Sequence, residues 1–484
     1  MKLLPNKVKN YFRNKFGNTI IRSWEAAKSN RFLSDWLTET ASINSDIKSG
    51  LPTLRARTRN MVQNCPFFNK YLALREKNIF GADGIRLQMK IRDANGTLDK
   101  AANREIEAAW KEWSSSKNCT VTRNKSILDV EKLVDATRET DGEFFIRKVR
   151  GFDNDFGFAL QIINPQKCDL EKNITAMGNK NQVIMGVKID SWGAPLSYLF
   201  NSNNDTVTYN YQHAKTIEYK VGQIIHGFVE KFPGQVRGYP QAASILFNLQ
   251  MIKGYSEAEV MASRASACKM GIYTTPKGDS IKGMADEKSG NQFQVNVEPL
   301  TFQHFPEGTD FKTFDTQNPN ANYSKFMQAQ LREIASGLDI SYNFLHSNME
   351  SVNFSSLRAA ALEERDRWRI EQAWYIEHLL QPVFDEWLDL YLLSSKTNLP
   401  YSKKWKFQAA TWMPRAYQWV DPRKDAQANI LMKDELIISP QDLIAERGKD
   451  PEDVIAEIKE WNVLTEGMRQ ANEETTKKET NDEK

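Results

Sequence analysis

Residue types able to carry chemistry are present in this chain, but they are not assembled into any recognisable constellation. Helix-spaced carboxylates occur as Asp385 with Asp389, and as Glu363 and Glu364 beside Asp366; pairs of this kind hold divalent ions in nucleases. Set among arginines on a helix, such carboxylates are far more often a solvated or interfacial face. Gly278 and Gly283 have the outer spacing of a phosphate loop, yet Met284 and Ala285 stand where a lysine and a hydroxyl would have to reach phosphate and magnesium. The histidines His213, His226, His304, His346 and His378 show no HExxH or paired spacing, and Cys65, Cys119, Cys168 and Cys268 show no CxxC. Neither set implies a metal, and no cofactor is indicated. A GxSxG elbow is absent. What remains is a polar concentration between residues 338 and 354, comprising Asp339, Tyr342, Asn343, His346, Asn348, Glu350 and Asn353, with the period of neither helix nor strand. Such a loop is either a connector or the working part.

Composition narrows the class. With 484 residues and 40% hydrophobic content the chain can bury a real core and divides into about three units. A net charge of +3, with charged residues at 26% and the signs mixed, gives no global field of the kind that grips nucleic acid. No apolar run approaches the ~18 residues needed to span a bilayer, and the first residues lead into no hydrophobic signal core, so a soluble intracellular protein without membrane contact is expected. Residues 1–24 carry Lys2, Lys7, Lys9, Arg13, Lys15 and Arg22 with an apolar face of Val8, Tyr11, Phe12, Phe16 and Ile20. This basic amphipathic arm reads as an end helix docking on a neighbour, or as a helix that binds a surface.

The elements that must position the loop follow from periodicity. Residues 26–50 are polar and predict a loop or extended arm. Helix is predicted over 51–80, broken near Pro66 and closed by Gly81, with Arg55, Arg57 and Arg59 read as solvated. Alternation over 85–91 gives a strand, and helices follow at 103–113 and, behind the capping-box pattern Ser126 to Asp129, at 126–140. Strands are predicted at 143–150, 158–163, 183–189, 196–200, 206–211 and 223–229, with a hairpin turn at Asp190 to Gly193. Helix returns at 242–267, before an insert rich in Gly and Lys. A helix announced by Asn318 carries Tyr323, Met327, Leu331 and Ile334 on one stripe and is expected to stop at Gly337 as a left-handed cap. Beyond the loop, with Ser355 or Ser356 as cap, a continuous pattern over 356–394 would make a rod of roughly 58 Å, kinked at Pro382. Trp368, Trp374, Tyr375, Phe384, Trp387 and Tyr391 surround most of it, so it must be covered on several sides by its own chain or by adjacent copies. The segment after Asn472 is charged and poor in apolar residues, which predicts disorder.

Several short stretches together resemble the lambda-type phage portal proteins, and the resemblance runs from about Leu51 to about Trp461. They are Leu51-Pro52-Thr53-Leu54-Arg55-Ala56-Arg57, Pro233-Gly234-Gln235-Val236-Arg237-Gly238, Ala335-Ser336-Gly337-Leu338 and Val352-Asn353-Phe354-Ser355-Ser356-Leu357-Arg358-Ala359-Ala360, supported by Leu380-Gln381-Pro382-Val383 and Asp421-Pro422-Arg423-Lys424-Asp425. Phe354 stands where the family more commonly has Tyr. The resemblance implies a mainly helical α+β portal fold: a basic arm over 1–50, a wing over 51–236, stem helices over 237–270 and 318–337, a clip over 271–317, a tunnel loop over 338–355, a wing spine and following segment over 356–420, a crown over 421–471 and a tail over 472–484.

It further implies a ring, expected to be a dodecamer, at one capsid vertex, assembled in the bacterial host cytoplasm and carried in the virion. Double-stranded DNA would pass through it, independently of sequence, in packaging and ejection. Its partners would be the terminase large subunit, head completion or adaptor proteins, and the major capsid or scaffold protein. On this reading Asp339, Tyr342, Asn343, His346, Asn348, Glu350 and Asn353 face a DNA channel, Trp368, Trp374, Tyr375 and Trp387 serve subunit contacts, and Lys277, Lys282 and Lys288 of the clip dock the motor. No enzymatic activity is implied. Two other classes stay open at this point: a metal-dependent DNA-processing enzyme using the helix-borne carboxylates, and a monomeric adaptor binding through its basic arm.

Overall fold

The computed structural model of the chain describes residues 41–175, 181–202, 215–267, 271–274, 310–313, 322–348, 353–417, 422–445, 447, 449–452, 454–459, 461–463 and 465. The basic arm up to residue 40, the strand expected at 206–211, Lys277, Lys282 and Lys288, Glu350 and the terminal tail lie outside the described residues. The architecture is mainly helical α+β.

Helix α1 (Ile43–Asn64) starts well before the predicted boundary, because Ile47 and Leu51 are buried against Met185; tertiary burial outweighs the polar composition of this stretch. Cys65 breaks the chain and Pro66, pre-set for a first turn, opens α2 (Pro66–Ile79). Strand β1 (Arg86–Met89) pairs antiparallel with β11 (Ala410–Met413), joining segments more than 300 residues apart in sequence. Helix α3 (Lys100–Trp113) precedes α4 (Ile127–Asp141), whose capping box forms as expected: Asp129 N–H donates to Ser126 Oγ at 3.2 Å, and Ser126 N–H donates to Asp129 Oδ2 at 2.9 Å. Gly142 ends α4 at φ +87°, where a Cβ would lie 2.2 Å from the Tyr239 backbone; no other residue fits that position.

Two antiparallel sheets follow. β2 (Glu143–Arg150) is central between β3 (Phe158–Ile163) and β8 (Ile224–Phe228). β4 (Gln182–Ile184), β5 (Val187–Ile189), β6 (Pro195–Asn201) and β7 (Thr216–Lys220) form the second sheet in that order. The single strand expected over 183–189 is split because Met185 and Gly186 both adopt positive φ, at 47° and 81°, and turn the chain back on itself. β7 is largely exposed, so it lacks the apolar alternation that would reveal it.

After α5 (Leu246–Ala267), β9 (Gly271–Thr274) and β10 (Asp310–Thr313) pair at the base of the insert, and α6 (Tyr323–Gly337) returns beside α5. The spine comprises α8 (Phe354–Tyr375), a π turn at Ile376–Leu380 and α9 (Gln381–Leu393), preceded by the short α7 (Tyr342–His346). The predicted kink at Pro382 takes the form of that π turn. Gln381 N–H reaches the Ile376 carbonyl, so the helix is already widened where Pro382 brings a ring and no donor. Helices α10 (Pro422–Asp434) and α11 (Pro440–Ala445) follow, and further helical residues lie between 451 and 463.

The spine's aromatic residues lie mostly in the chain's own core. Trp387 stacks on Tyr391 at 5.0 Å and meets Trp110 edge-on at 5.1 Å, while Tyr375 packs on Phe80 at 5.2 Å. Trp368, Tyr375 and Trp387 are 1, 0 and 0% exposed, which corrects their expected role as subunit contacts. Their rings are already covered within one chain. Trp374 is half-buried, stacked on His378 at 4.7 Å with the Arg138 guanidinium 4.6 Å from its ring.

The same core holds charges. Arg75 is fully buried among Asp135 (2.6 Å), Glu139 (3.3 Å) and Glu371 (3.2 Å), and Arg138 also pairs with Glu139 and Glu371. This network fastens α8 to α2 and α4. Glu131 is buried too, and burial pushes its carboxyl up to about 8 against the smaller opposing pull of the Ile85 N–H and Lys132. A raised carboxyl favours the neutral folded form, so its contribution is complete below about pH 4.5 and is lost as pH rises toward about 8. Glu131→Gln, neutral throughout, is expected to be more stable than the parent at pH 8, with the difference shrinking toward pH 4.5; urea titrations at the two pH values test this.

Candidate functional site

The polar loop is built from the end of α6 outward. Gly337 does not cap the helix as expected: it stays helical, and its lack of a Cβ, which would lie 2.3 Å from Ile245 Cγ2, serves the close crossing of α6 over the start of α5. The left-handed position falls instead on Asp339, at φ +55°. Ile340 N–H donates to Ala335 O at 3.0 Å and Asp339 N–H to Ser336 O at 3.1 Å, the paired bonds of a Schellman cap. Aspartate tolerates this conformation better than most residues, and here it is held from outside. Arg367 of α8 donates to Leu338 O at 2.6 Å and to Asp339 O, and its Nε lies 3.3 Å from the Asp339 carboxylate. One turn earlier, Glu364 accepts the Ser341 N–H at 2.6 Å. Burial raises the Glu364 carboxyl above its ordinary range, against the Ser341 N–H. Two charged side chains of the spine thus anchor the first half of the loop.

The next residues form α7, which the sequence pattern did not show. Leu345 is buried, and the rings of Tyr342, His346 and Phe67 stack in series, 5.6 and 6.0 Å apart. The Arg332 guanidinium lies 5.3 Å from the Tyr342 ring. The five residues of α7, three of them counted in the polar loop, are therefore pinned on α2. His346 and Ser347 remain exposed, Asn343 and Asn348 are half-buried, and Asn353 caps α8 by accepting the Ser356 N–H at 2.7 Å, in place of Ser355 or Ser356. Of the expected channel residues, Asp339 and Asn353 serve as caps, and Tyr342 and His346 serve as a stack. The anchoring residues that the sequence did not reveal as such are Glu364, read there as one of a group of helix-borne carboxylates, and Arg367, in a helix face that looked solvated.

Beside the loop, α5 and α6 form a two-helix stalk. Tyr255 stacks on Tyr323 at 5.7 Å and meets Phe326 edge-on at 5.0 Å, and Leu249, Ile252, Met327, Leu331 and Ile334 are buried in one cluster. The other side of α5 is uncovered. Phe247, Met251 and Met261 are 71, 52 and 68% exposed, and with Gly254 and Ala258 they repeat at alternating steps of four and three. That is the spacing of a helix seam.

The carboxylates singled out for metal chemistry are not gathered. Glu364 holds Ser341, Asp366 pairs with Arg369 at 3.5 Å, Asp389 pairs with Lys404, and Gln381 donates to Asp385 at 2.9 Å. Among the described residues there is no group of three metal-ligating side chains, and no helix long and apolar enough to cross a membrane. Fold and site together give a mixed α+β body braced by buried charges, a two-helix stalk with one uncovered apolar side, and a loop clamped between stalk and spine.

The family model "Phage portal protein, lambda family" matches residues 29–372. The chain belongs to that family. It is 30% identical over 453 residues to a probable portal protein of Halomonas phage phiHAP-1, covering 91% of this chain and 86% of that one, and 21% identical over 462 residues to portal protein B of Escherichia phage lambda, covering 88% and 86%. Among solved structures it is similar to a chain from the neck of an empty gene transfer agent particle, at 12% identity and a TM-score of 0.44, covering 82% of this chain and 93% of that one. The family is a structural capsid component without enzymatic activity, which sets the nuclease alternative aside.

Proposed function

We propose that copies of this chain assemble head to tail into a closed ring, a dodecamer, at one capsid vertex, and that DNA enters and leaves through its centre. The observation that carries the ring is the uncovered seam on α5. An apolar heptad stripe with a glycine and an alanine at its middle is suited to close packing against another helix, and α6 already occupies the opposite side. Each subunit then offers its seam to the next, the heterologous contact that rotation can close. In this arrangement α5 and α6 are the stem, the insert begun by β9 and β10 is the clip that docks the terminase large subunit, and the elements after residue 421 are the crown. Head completion or adaptor proteins and the major capsid or scaffold protein complete the set of partners.

The loop would be the part that meets moving DNA. Phosphate contacts by Lys or Arg release counterions and bind tightly, and ring symmetry multiplies each one. A loop exposing His346 and Ser347, with half-buried Asn343 and Asn348, touches without holding. Particles carrying Ser347→Arg are expected to form normal rings but package DNA several-fold more slowly, read as DNA length per particle against time. Unchanged packaging would remove DNA contact from this loop.

A further inference from the structure

The two faces of α8 differ in a way the family reading does not use. Ala361, Glu364, Arg365 and Trp368 turn inward to line a cleft of about 1050 Å³ between the spine, the end of α2 and the strand-end segment through Tyr417. At 100° per residue, Ala359, Leu362, Asp366, Ile370 and Ala373 lie roughly 150° around the helix from that set. This second face is bare: Leu362 and Ile370 are 46 and 72% exposed, flanked by exposed Glu363, Asp366 and Glu377, with Arg369 as the one cation among them.

The cleft has the opposite character. Lys77, Arg86, Arg365, Arg415 and Arg447 line it against three carboxylates, of which Glu76 is paired with Lys132 at 2.8 Å and Glu364 holds the Ser341 N–H. Arg415 is held rigidly by neutral groups. It donates to the Lys77 carbonyl and to Asn78 Oδ1 (3.0 Å), and its guanidinium lies 5.4 Å from the Tyr417 ring, whose hydroxyl donates to Asn78 O at 2.9 Å. Arg365 approaches the same ring at 5.5 Å. Among the described residues no carboxylate pairs with Arg415. A positioned guanidinium without a counter-charge, beside the half-buried surfaces of Phe344, Pro414 and Tyr417, suits a ligand that is acidic and apolar together.

We infer that the occupant of this cleft is the bare face of α8 from a second copy of the chain: Leu362 and Ile370 lie on the cleft's apolar wall, and Glu363 and Asp366 meet Lys77 and Arg415. The two surfaces are complementary in charge and in polarity. They also sit on nearly opposite sides of one helix, as a head-to-tail ring demands of any subunit contact. The inference rests on the ring reading and deepens it, because it places a contact in the wing that is independent of the α5 seam. It also explains why the spine is braced to α2 and α4 by buried charges: a helix gripped by neighbours on both sides transmits load around the ring.

The test is a disulfide trap in the full chain. Ile370→Cys combined with Ala416→Cys, oxidised after assembly, is expected to give a covalent ladder of oligomers on non-reducing gels, absent from either single variant. As a second measurement, Glu363→Lys with Asp366→Lys, both exposed, is expected to raise the protein concentration needed for half-assembly at least tenfold with an unchanged thermal midpoint. Rings that form without a ladder, and with unaltered assembly in the charge-reversed variant, overturn this contact while leaving the ring intact. An unsubstituted chain that forms no rings overturns both.

Discussion

Replacing Glu143 with alanine is expected to cost about 3–5 kcal/mol, enough to leave a protein of ordinary stability close to unfolding. Glu143 is wholly buried, and four residues converge on it. Arg55 from α1 donates at 2.6 Å, Arg237 donates through Nε at 2.8 Å and Nη2 at 2.5 Å, His226 Nε2 of β8 lies at 3.0 Å, and the Gly238 N–H donates at 3.1 Å. Burial alone would raise its carboxyl, but Arg237, His226 and Arg55 hold it well below the usual range. Burial keeps His226 neutral by lowering its own pKa. Without the carboxylate, two buried guanidiniums face each other with Asp169 and with Asp141, which Arg59 already chelates at 2.9 Å through Nε and Nη2. The effect is large because the loss is of a shared anion and not of one bond. A depressed carboxyl also fixes the sign of the acid response: its stabilisation is full above about pH 4.5 and is lost only as pH falls through the low folded value. Urea denaturation followed by tryptophan fluorescence measures the loss, and a change under about 1 kcal/mol would mean that the cluster around Glu143 adds little to stability.

Met251→Asp should act in the opposite way, sparing the fold and abolishing assembly. Met251 is 52% exposed on the α5 seam, so the isolated chain loses little by the change. In a ring every seam would acquire a desolvated carboxylate beside Phe247 and Gly254, and a buried unpaired charge costs several kcal/mol at each interface. Multiplied around the ring, the expected result is a monomer by light scattering at concentrations where the parent is fully assembled, with an unchanged circular dichroism spectrum. Met251→Leu, which keeps volume and polarity, should assemble normally. Rings of normal size from the aspartate variant would show that α5 faces solvent in the assembly.

These expectations differ in how far they could be read from sequence, and the reason is range. The capping box at Ser126, the strands over 143–150 and 158–163 and the stripe on α6 depend on neighbours within a few residues, so spacing reveals them. Arg55, Arg57 and Arg59 look alike in sequence, yet Arg55 is buried because its partner stands 88 residues away on another element. Arg75 and Glu371, 296 residues apart, are hidden for the same reason. Aromatic density marked the spine correctly as a helix needing cover but could not say whose cover it was, since core and interface rings obey the same chemistry. In the loop, composition suggested a uniform polar strand of chain. Its anchoring came from Glu364 and Arg367, whose role depends on a crossing of helices that no local pattern encodes.

Whether this lambda-family portal chain closes into a ring around a channel can be seen by electron microscopy of the purified, unsubstituted chain at physiological salt. Closed particles of uniform diameter with twelvefold symmetry, a central hole, and the loop after α6 on its inner wall are expected. A monodisperse monomer at high protein concentration, or open filaments without a closed ring, would contradict it.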